Sequence, residues 1–512
     1  MWASLKSFSS AFTLSWWPIL VGSILSCEPR SEVPTQPNVL LILTDQQTVG
    51  MMSAAGNPYL ETPAMDQLAR NGVMFFQSYC TSPVCAPARS SIITGKMPHE
   101  TGVEWNGDKI KDSVLNIGEI FRESGYQTVW AGKWHLPESY PQRTNSPQKE
   151  IRGFDLLPFR DPDLENWMLG AETDPPLTRA AVKFLEQHSN NQPFFLAVSS
   201  HNPHDICFYA RKDGWETKQD TLLEIRHYGF EYQLPKPISR HPKHFEKLPP
   251  LPANYPIPEL EPSFLQDKRN KHHEYGVETM LANQEFDSLT WRGYYHAYCR
   301  LTEMVDGEIA KLLAAVSNNA LLENTLIVFS SDHGDGAAAH KWAAKLSLYE
   351  ESAKVPLIIS WPGEIPAGIQ NHQHLVSQID IVPTLCDYLG IDAKISFTGR
   401  SLRPIIENPT ASWRNFLVAE LADYKPDRSR KGRMVRTESF KYNSYSGGEN
   451  PEQLFDLKND PGEMYNLAYH PDYQSTKDWH KQLLMEWKHR TKDDFLAKDF
   501  RDPAVGKRTS GY

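Results

Sequence analysis

The sequence predicts an α/β fold: a large domain on a central, mostly parallel mixed sheet flanked by helices, then a smaller C-terminal α+β subdomain with an antiparallel sheet. Three observations predict it. Continuous apolar runs recur between residues 38 and 360, as strands buried on both faces require. Amphipathic stretches with helix start and stop signals alternate with those runs. From residue 415 onward the alternation gives way to short strand-like stretches separated by turns.

The N-terminus comes first. Lys6 is followed by AFTLSWWPILVGSILSC, a mostly apolar run broken by Pro18. Its roughly 15 apolar positions fall short of the ~20 that a membrane-spanning helix needs and fit a secretory signal over residues 1–27. The run stops at Ile24-Leu25-Ser26-Cys27 and then turns polar. This resembles a bacterial lipoprotein signal, in which Cys27 becomes acylated and attaches the chain to a membrane. The alternative is an ordinary cleaved signal in which Cys27 is incidental. The expected location is outside the cytoplasm, in a bacterial periplasm or as an outer-membrane lipoprotein.

NVLLILTD (38–45) is the first expected strand, and YQTVWAG (126–132), FFLAVSS (194–200), TLIVFSSD (325–332) and VPLIIS (355–360) repeat its pattern. Between them, a helix is expected from Thr62-Pro63 to Asn71-Gly72, with proline at its start and glycine after its end. Further helices are expected over Leu115–Ser124, Leu177–His188, Trp291–Val316 and Ile379–Leu389. Residues 205–290 are rich in Pro, Lys, His and Glu and read as a surface excursion over one rim of the sheet. It either shapes a substrate pocket or is a variable loop. FLVAEL, RMVRTESFKYNSY and QLFDL read as strands of the C-terminal sheet. The domain boundaries are thus 36–400 and 401–512.

The 512 residues carry a formal net charge of −10. A global basic field for nucleic acid is absent, so an anionic substrate must be attracted by local charges. Six cysteines are too few for a disulfide scaffold of this size. Cys299 and Cys386 lie on apolar helical patterns and are expected as buried thiols. Cys207, after a strand, has no assignment.

Ligands of open α/β sheets bind beyond the carboxyl ends of the strands. There the sequence places Asp45-Gln46, Lys133-Trp134-His135, His201 with His204, and Asp332-His333. Four strands deliver acids, histidines or lysines to one rim, with Cys85 at the head of an expected helix. Asp45, Gln46 and Asp332 offer oxygen donors that suit a hard divalent cation such as Ca²⁺, whereas zinc would want more His or Cys.

PVCAPARSSIITG (83–95) resembles the first signature of the type I, formylglycine-dependent sulfatases: Cys-x-Pro-x-Arg, then Thr-Gly. GYQTVWAGKWH (125–135) resembles the second signature, and SDHGD (331–335) and LFDLKNDPGEMYNLA (454–468) follow in family order. The resemblance covers residues 37–470 and implies the alkaline phosphatase-like fold. It implies that a maturation enzyme reads the Cys-x-Pro-x-Arg segment and oxidises Cys85 to an aldehyde. The hydrate's one hydroxyl would attack the sulfur of a sulfate ester, and its other hydroxyl would later expel the sulfate. By matched position, Asp45, Gln46, Asp332 and His333, with modified Cys85, would hold a divalent cation, calcium by preference. Arg89 would orient the hydrate. Lys133 and Lys345 would pair with sulfate oxygens, Lys345 being preferred over Lys341 because it precedes LSLYEES. His135 would take a proton and His204 would face the leaving oxygen. His99, His201 and His340 are expected as substrate contacts, with simple packing as the alternative for His99 and His340.

The chain departs from the resemblance at Gln46, where many members carry a second Asp, and at His333, where they carry Asn. The expected activity is sulfate monoester hydrolysis on a sulfated carbohydrate. A phosphonate monoester or phosphodiester hydrolase is the second reading, and an inactive exported glycan-binding protein the third.

Overall fold

A computed structural model of the chain describes residues 36–136, 150–157, 169–189, 192–209, 224–227, 230–233, 246–270, 286–423 and 430–495. The expected signal at 1–27 and much of the 205–290 excursion lie outside the described residues.

Seventeen strands are described. They are β1 Asn38–Asp45, β2 Val73–Phe75, β3 Ser78–Tyr79, β4 Gln127–Gly132, β5 Glu150–Ile151, β6 Phe154–Leu156, β7 Phe194–Pro203, β8 Glu224–His227, β9 Phe230–Gln233, β10 Thr325–Ser331, β11 Leu357–Ser360, β12 Ile369–Asn371, β13 Val376–Ser377, β14 Phe416–Ala422, β15 Lys431–Thr437, β16 Phe440–Tyr445 and β17 Glu452–Asp456. Nine form the main sheet in the order β12-β2-β11-β10-β1-β7-β4-β6-β5. Its centre is parallel: β1 pairs in parallel with β10 and β7, and β7 with β4.

Strand β1 shows why the sequence folds this way. Its eight residues are all buried, so both faces must be apolar. Val39, Leu41 and Leu43 pack into one core with Ile92, Phe121 and Leu385. Leu40 and Ile42 pack into the other with Leu68, Ala181 and Ile309. The period-two alternation thus feeds two helical layers, one on each side of the sheet.

Three elements differ from the sequence expectation. VPLIIS becomes β11, which runs antiparallel to β10 and β2. Burial on both faces sets an apolar composition whatever the strand's direction. The helix expected from Leu177 begins at Gly170 and passes through Pro175 and Pro176. A helix at Gln474–Thr491 has no counterpart in the sequence reading. Only Leu483, Leu484 and Trp487 of its apolar residues reach the core, a sparse stripe in a polar stretch.

The sheet β14-β15-β16-β17 is antiparallel throughout. One face, with Leu417, Ala419 and Met434, packs on Tyr79, Val84, Trp342 and Tyr349. The other, with Val418, Val435 and Leu454, packs on the Gln474–Thr491 helix. The C-terminal sheet therefore backs the loops that carry Cys85 and Lys345. Among the described residues no helix is long and apolar enough to cross a membrane.

Candidate active site

The four parallel strands β10, β1, β7 and β4 are neighbours, and their carboxyl ends meet at one rim. Asp45 ends β1, Lys133 follows β4, and Asp332 and His333 follow β10. Gly132 makes the exit of β4 possible. Its φ is +95°, and a Cβ there would lie 2.1 Å from the Ser199 carbonyl oxygen. The backbone can therefore turn hard against β7 and aim Lys133 inward.

Cys85 is the first residue of the helix Cys85–Thr94 and is fully buried. Lys345 Nζ donates to its Sγ at 2.8 Å. His333 Nε2 lies 3.2 Å from the same sulfur. His333 Nδ1 donates to the Gly334 carbonyl at 2.8 Å, which fixes the ring with Nε2 towards the sulfur. His135 also hydrogen-bonds the thiol. Burial, then Asp45, would raise the Cys85 pKa; Lys345, Lys133 and His333 outweigh them and hold it well below the usual thiol range.

Arg89, one helical turn on from Cys85, ties the acids together. Its Nη2 donates to Asp45 Oδ2 and its Nε to Asp332 Oδ2, both at 2.9 Å. Nη1 donates to the Lys133 carbonyl at 2.9 Å and to Ser199 Oγ at 2.8 Å. Lys133 Nζ sits 2.5 Å from Asp45 Oδ2. Burial would raise the Asp45 pKa, but Lys133, His204, Arg89 and Lys345 hold it well below the usual carboxylate range.

Asp45, Cys85, Asp332 and His333 each point one ligand atom into a space where these atoms lie within 4.8 Å of one another. Asp45 Oδ1 is buried there with no hydrogen-bond partner. An orphaned carboxylate oxygen among converging donors is what a divalent cation would satisfy, so the residues fit one. The Gln46 side chain stands beside this group. Its Nε2 donates to Asp335 Oδ2 at 2.7 Å, and its Oε1 accepts from the Cys207 thiol at 3.3 Å.

Comparison with known proteins decides the family. The sulfatase family model matches residues 37–391. The chain belongs to the sulfatase family. The model of the N-sulphoglucosamine sulphohydrolase C-terminal region matches residues 338–490. A Delta 4,5-hexuronate-2-O-sulfatase of Bacteroides thetaiotaomicron is 30% identical over 506 residues, 95% of this chain and 96% of that protein. An N-acetylglucosamine-6-O-sulfatase of the same organism is 27% identical, over 93% and 91% of the two chains. The solved structure of a 2-O GAG sulfatase superposes with a TM-score of 0.73 at 28% identity, covering 93% of this chain and 97% of that one. A sulfatase hydrolyses sulfate esters, and the family implies a divalent metal and a formylglycine.

The sulfatase's remaining histidines divide. His204 is close enough to Asp45, Lys133, Lys345 and Cys85 to feel their charges; burial first, then Lys133, push its pKa well below the usual value. Its Nδ1 is buried without a hydrogen-bond partner. His201 instead turns to the Gly170–Gln187 helix, with Nδ1 at 3.1 Å from Thr173 Oγ1. His99 is clamped between Glu420 Oε1 at 2.6 Å and the Thr491 carbonyl at 3.0 Å, edge-on to Trp487. His340 stacks on Tyr349 at 4.0 Å and lies 3.4 Å from Asn254 Nδ2. The structure thus packs His99, His201 and His340 against protein, where the sequence suggested substrate contacts. Arg89 likewise spends its donors on Asp45, Asp332, Ser199 and the Lys133 carbonyl, where the sequence suggested direct orientation of residue 85.

Sequence reasoning missed a supporting layer. Tyr298 donates its hydroxyl to the Gln46 carbonyl and accepts from Thr48 N. Tyr294 donates to Asp335 at 2.8 Å, and Gln378 Nε2 donates to the Asp332 carbonyl at 2.7 Å. Tyr294 and Tyr298 carried only the signal of a helical core stripe. The five cysteines from Cys80 to Cys386 are all free and buried. Cys299 and Cys386 join apolar cores, as expected.

Proposed function

We propose that this sulfatase removes sulfate from a sulfated carbohydrate, with glycosaminoglycan fragments as the substrate class, using residue 85 as formylglycine and calcium as its cation. The observation that carries the reading is the convergence of Lys345 Nζ and His333 Nε2 on the Cys85 sulfur, at 2.8 and 3.2 Å, beside Asp45 and Asp332. The named targets of the hexuronate and N-acetylglucosamine sulfatases, with which the chain aligns nearly end to end, support the carbohydrate. The carboxylate oxygens of Asp45 and Asp332 support calcium, while the Gln46 amide, expected as a ligand, is engaged by Asp335 and Cys207.

A bound cation would supply positive charge against the reacting oxygen. The chain's own residues do the rest. Lys133 and Lys345 hold the non-bridging oxygens of the ester and neutralise charge as it develops. His135, in contact with residue 85, removes a proton from it. His204, kept neutral, faces the leaving oxygen as donor. Arg89 acts one step back, fixing the spacing of the two carboxylates. Lys345, His135 and His204 keep partial exposure while Cys85, Asp45, Asp332 and His333 have none. That side is where substrate reaches the site.

The reading includes export through residues 1–27, attachment through acylated Cys27, and oxidation of Cys85 by a maturation enzyme. The apolar run ending at Cys27 and the Cys-x-Pro-x-Arg segment support these steps. The test is a panel of defined sulfated saccharides, with an aryl phosphodiester alongside, given to protein made in a host that has the maturation system. Release of inorganic sulfate from a sulfated saccharide, and far slower turnover of the phosphodiester, is expected. Faster turnover of the phosphodiester than of every sulfate ester would move the protein to the second reading.

A further inference from the structure

A cavity of about 540 Å³ lies away from the catalytic residues, between the large domain and the C-terminal sheet. It opens past the far end of the Cys85–Thr94 helix, at Lys96. A helix of ten residues spans about 15 Å, so the cavity and Cys85 sit at opposite ends of one rod. None of Asp45, Cys85, Lys133, Asp332, His333 or Lys345 lines it.

Its walls are strongly cationic. Lys96, Arg400, Arg414 and Arg490 line it against a single acid, Glu100. That acid is already occupied, accepting from Thr398 Oγ1 at 2.8 and 2.7 Å and from Met97 N at 2.8 Å. Arg414 is anchored on Asp380 at 2.6 Å and stacked on Trp413 at 4.8 Å. Arg400 and Arg490 are exposed, and their side chains make no ion pair or hydrogen bond among the described residues. Burial, then the charges of Arg414 and Arg490, push the Arg400 pKa down. Asp380, paired with Arg414, pulls the other way, but the three guanidinium groups share this one carboxylate. Like charges gathered in a concavity focus a field that draws anions, and planar guanidinium forks match tetrahedral oxyanions. Trp413 and Phe397 add flat apolar surface to the same wall. The volume is that of a small-molecule site.

We propose that this cavity is a second, non-catalytic binding site for the sulfated carbohydrate, holding sulfate groups of the chain on Arg400, Arg414 and Arg490. The proposal rests on the sulfated-carbohydrate reading above, but its test is separable. A heparin-derived tetrasaccharide is titrated calorimetrically into full-length Cys85→Ala protein, which cannot turn it over, and into the same protein carrying Arg400→Gln and Arg490→Gln. The expected result is one fewer bound equivalent per chain in the second protein, with an unchanged melting temperature, because both arginines are exposed. A hyaluronan tetrasaccharide, which carries carboxylates and no sulfate, is expected to leave the cavity empty. Identical stoichiometry and affinity in the two proteins would overturn the proposal, as would equal filling by hyaluronan. Hydrolysis of a small aryl sulfate by the Arg400→Gln/Arg490→Gln enzyme with native Cys85 is expected to match wild type. If wild type fails on every sulfate ester, the catalytic reading falls by itself, whatever the titration shows.

Discussion

Lys345 Nζ donates to Cys85 Sγ at 2.8 Å across 260 residues of sequence. The lysine comes from the loop after β10 and the cysteine from the head of a helix near the N-terminus. Their meeting places a cation directly on the side chain proposed to react, in a site where burial makes charge interactions strong.

Replacing Lys345 with Met should keep the fold and remove that charge. A drop in kcat of about 10²–10³-fold is expected, the usual effect of deleting one group that stabilises developing charge. Steady-state kinetics on an aryl sulfate measure it. A kcat within twofold of wild type would show that Lys345 does not meet the sulfate.

Arg89 is the common partner of Asp45 and Asp332. Lysine at this position keeps one charge but cannot bridge two carboxylates. Arg89→Lys should weaken divalent-cation affinity by about 10- to 100-fold, as loss of a group that orients ligands does. Activity should then recover in part as calcium is raised. Calcium titration of chelator-treated enzyme reads the shift, and an unchanged midpoint would count against the positioning role.

His99 donates from both ring nitrogens, to Glu420 and to the Thr491 carbonyl, so it is held protonated. Burial alone would lower its pKa; Glu420, and then Asp493, outweigh burial and raise it from 6.5 to about 9. Arg433 faces the same acids, 3.6 Å from Glu420 and 2.8 Å from Asp493. Because the folded pKa lies above the unfolded one, the stabilisation is complete below pH 6.5 and is lost as pH rises through about 9. Its ceiling is on the order of 3 kcal/mol. The gap in melting temperature between wild type and His99→Gln should be widest near pH 6 and should narrow towards pH 9.5. A gap independent of pH would refute the charged state.

Lys441 is fully buried, 2.5 Å from Glu463 and 3.2 Å from Glu350. It links β16 to the segment that follows Lys345. Burial pushes the Glu463 pKa up to about 8 even with Lys441 beside it. Lys441→Met would strand Glu463, while Glu350 keeps Lys354 and the Tyr79 hydroxyl, and should cost about 1–3 kcal/mol of stability. Denaturant unfolding measures the loss, and adding Glu463→Gln should recover part of it. No recovery in the double variant would show that the lysine's packing matters and its charge does not.

The frame was legible because it rests on local physics. A short apolar run such as Val39–Leu43, bounded by Pro37 and Asp45, reads as a strand covered on both sides, and residues at the ends of neighbouring parallel strands share a rim. That reasoning brings Asp45, Lys133 and Asp332 together without knowledge of distance. What it cannot supply is direction. His201 and His204 are three residues apart at one strand end, yet one turns to Thr173 and the other into the site, because packing against the Gly170–Gln187 helix decides between them. The supporting role of Ser199, Tyr298 and Gln378 left no trace in the sequence, since hydrogen bonds to backbone carbonyls or to a distant arginine impose no spacing. The packing of His99 and His340 was illegible for the same reason: a histidine edge-on to Trp487 or stacked on Tyr349 looks, in sequence, like one waiting for substrate.

The central claim, that residue 85 works as an aldehyde, is tested most directly by mass spectrometry of the tryptic peptide Asn71–Arg89, from protein made with its maturation enzyme, before and after a hydrazine probe. The account predicts an aldehyde at residue 85, in a fraction that rises and falls with sulfatase activity across preparations. An intact Cys85 thiol in fully active protein would contradict it.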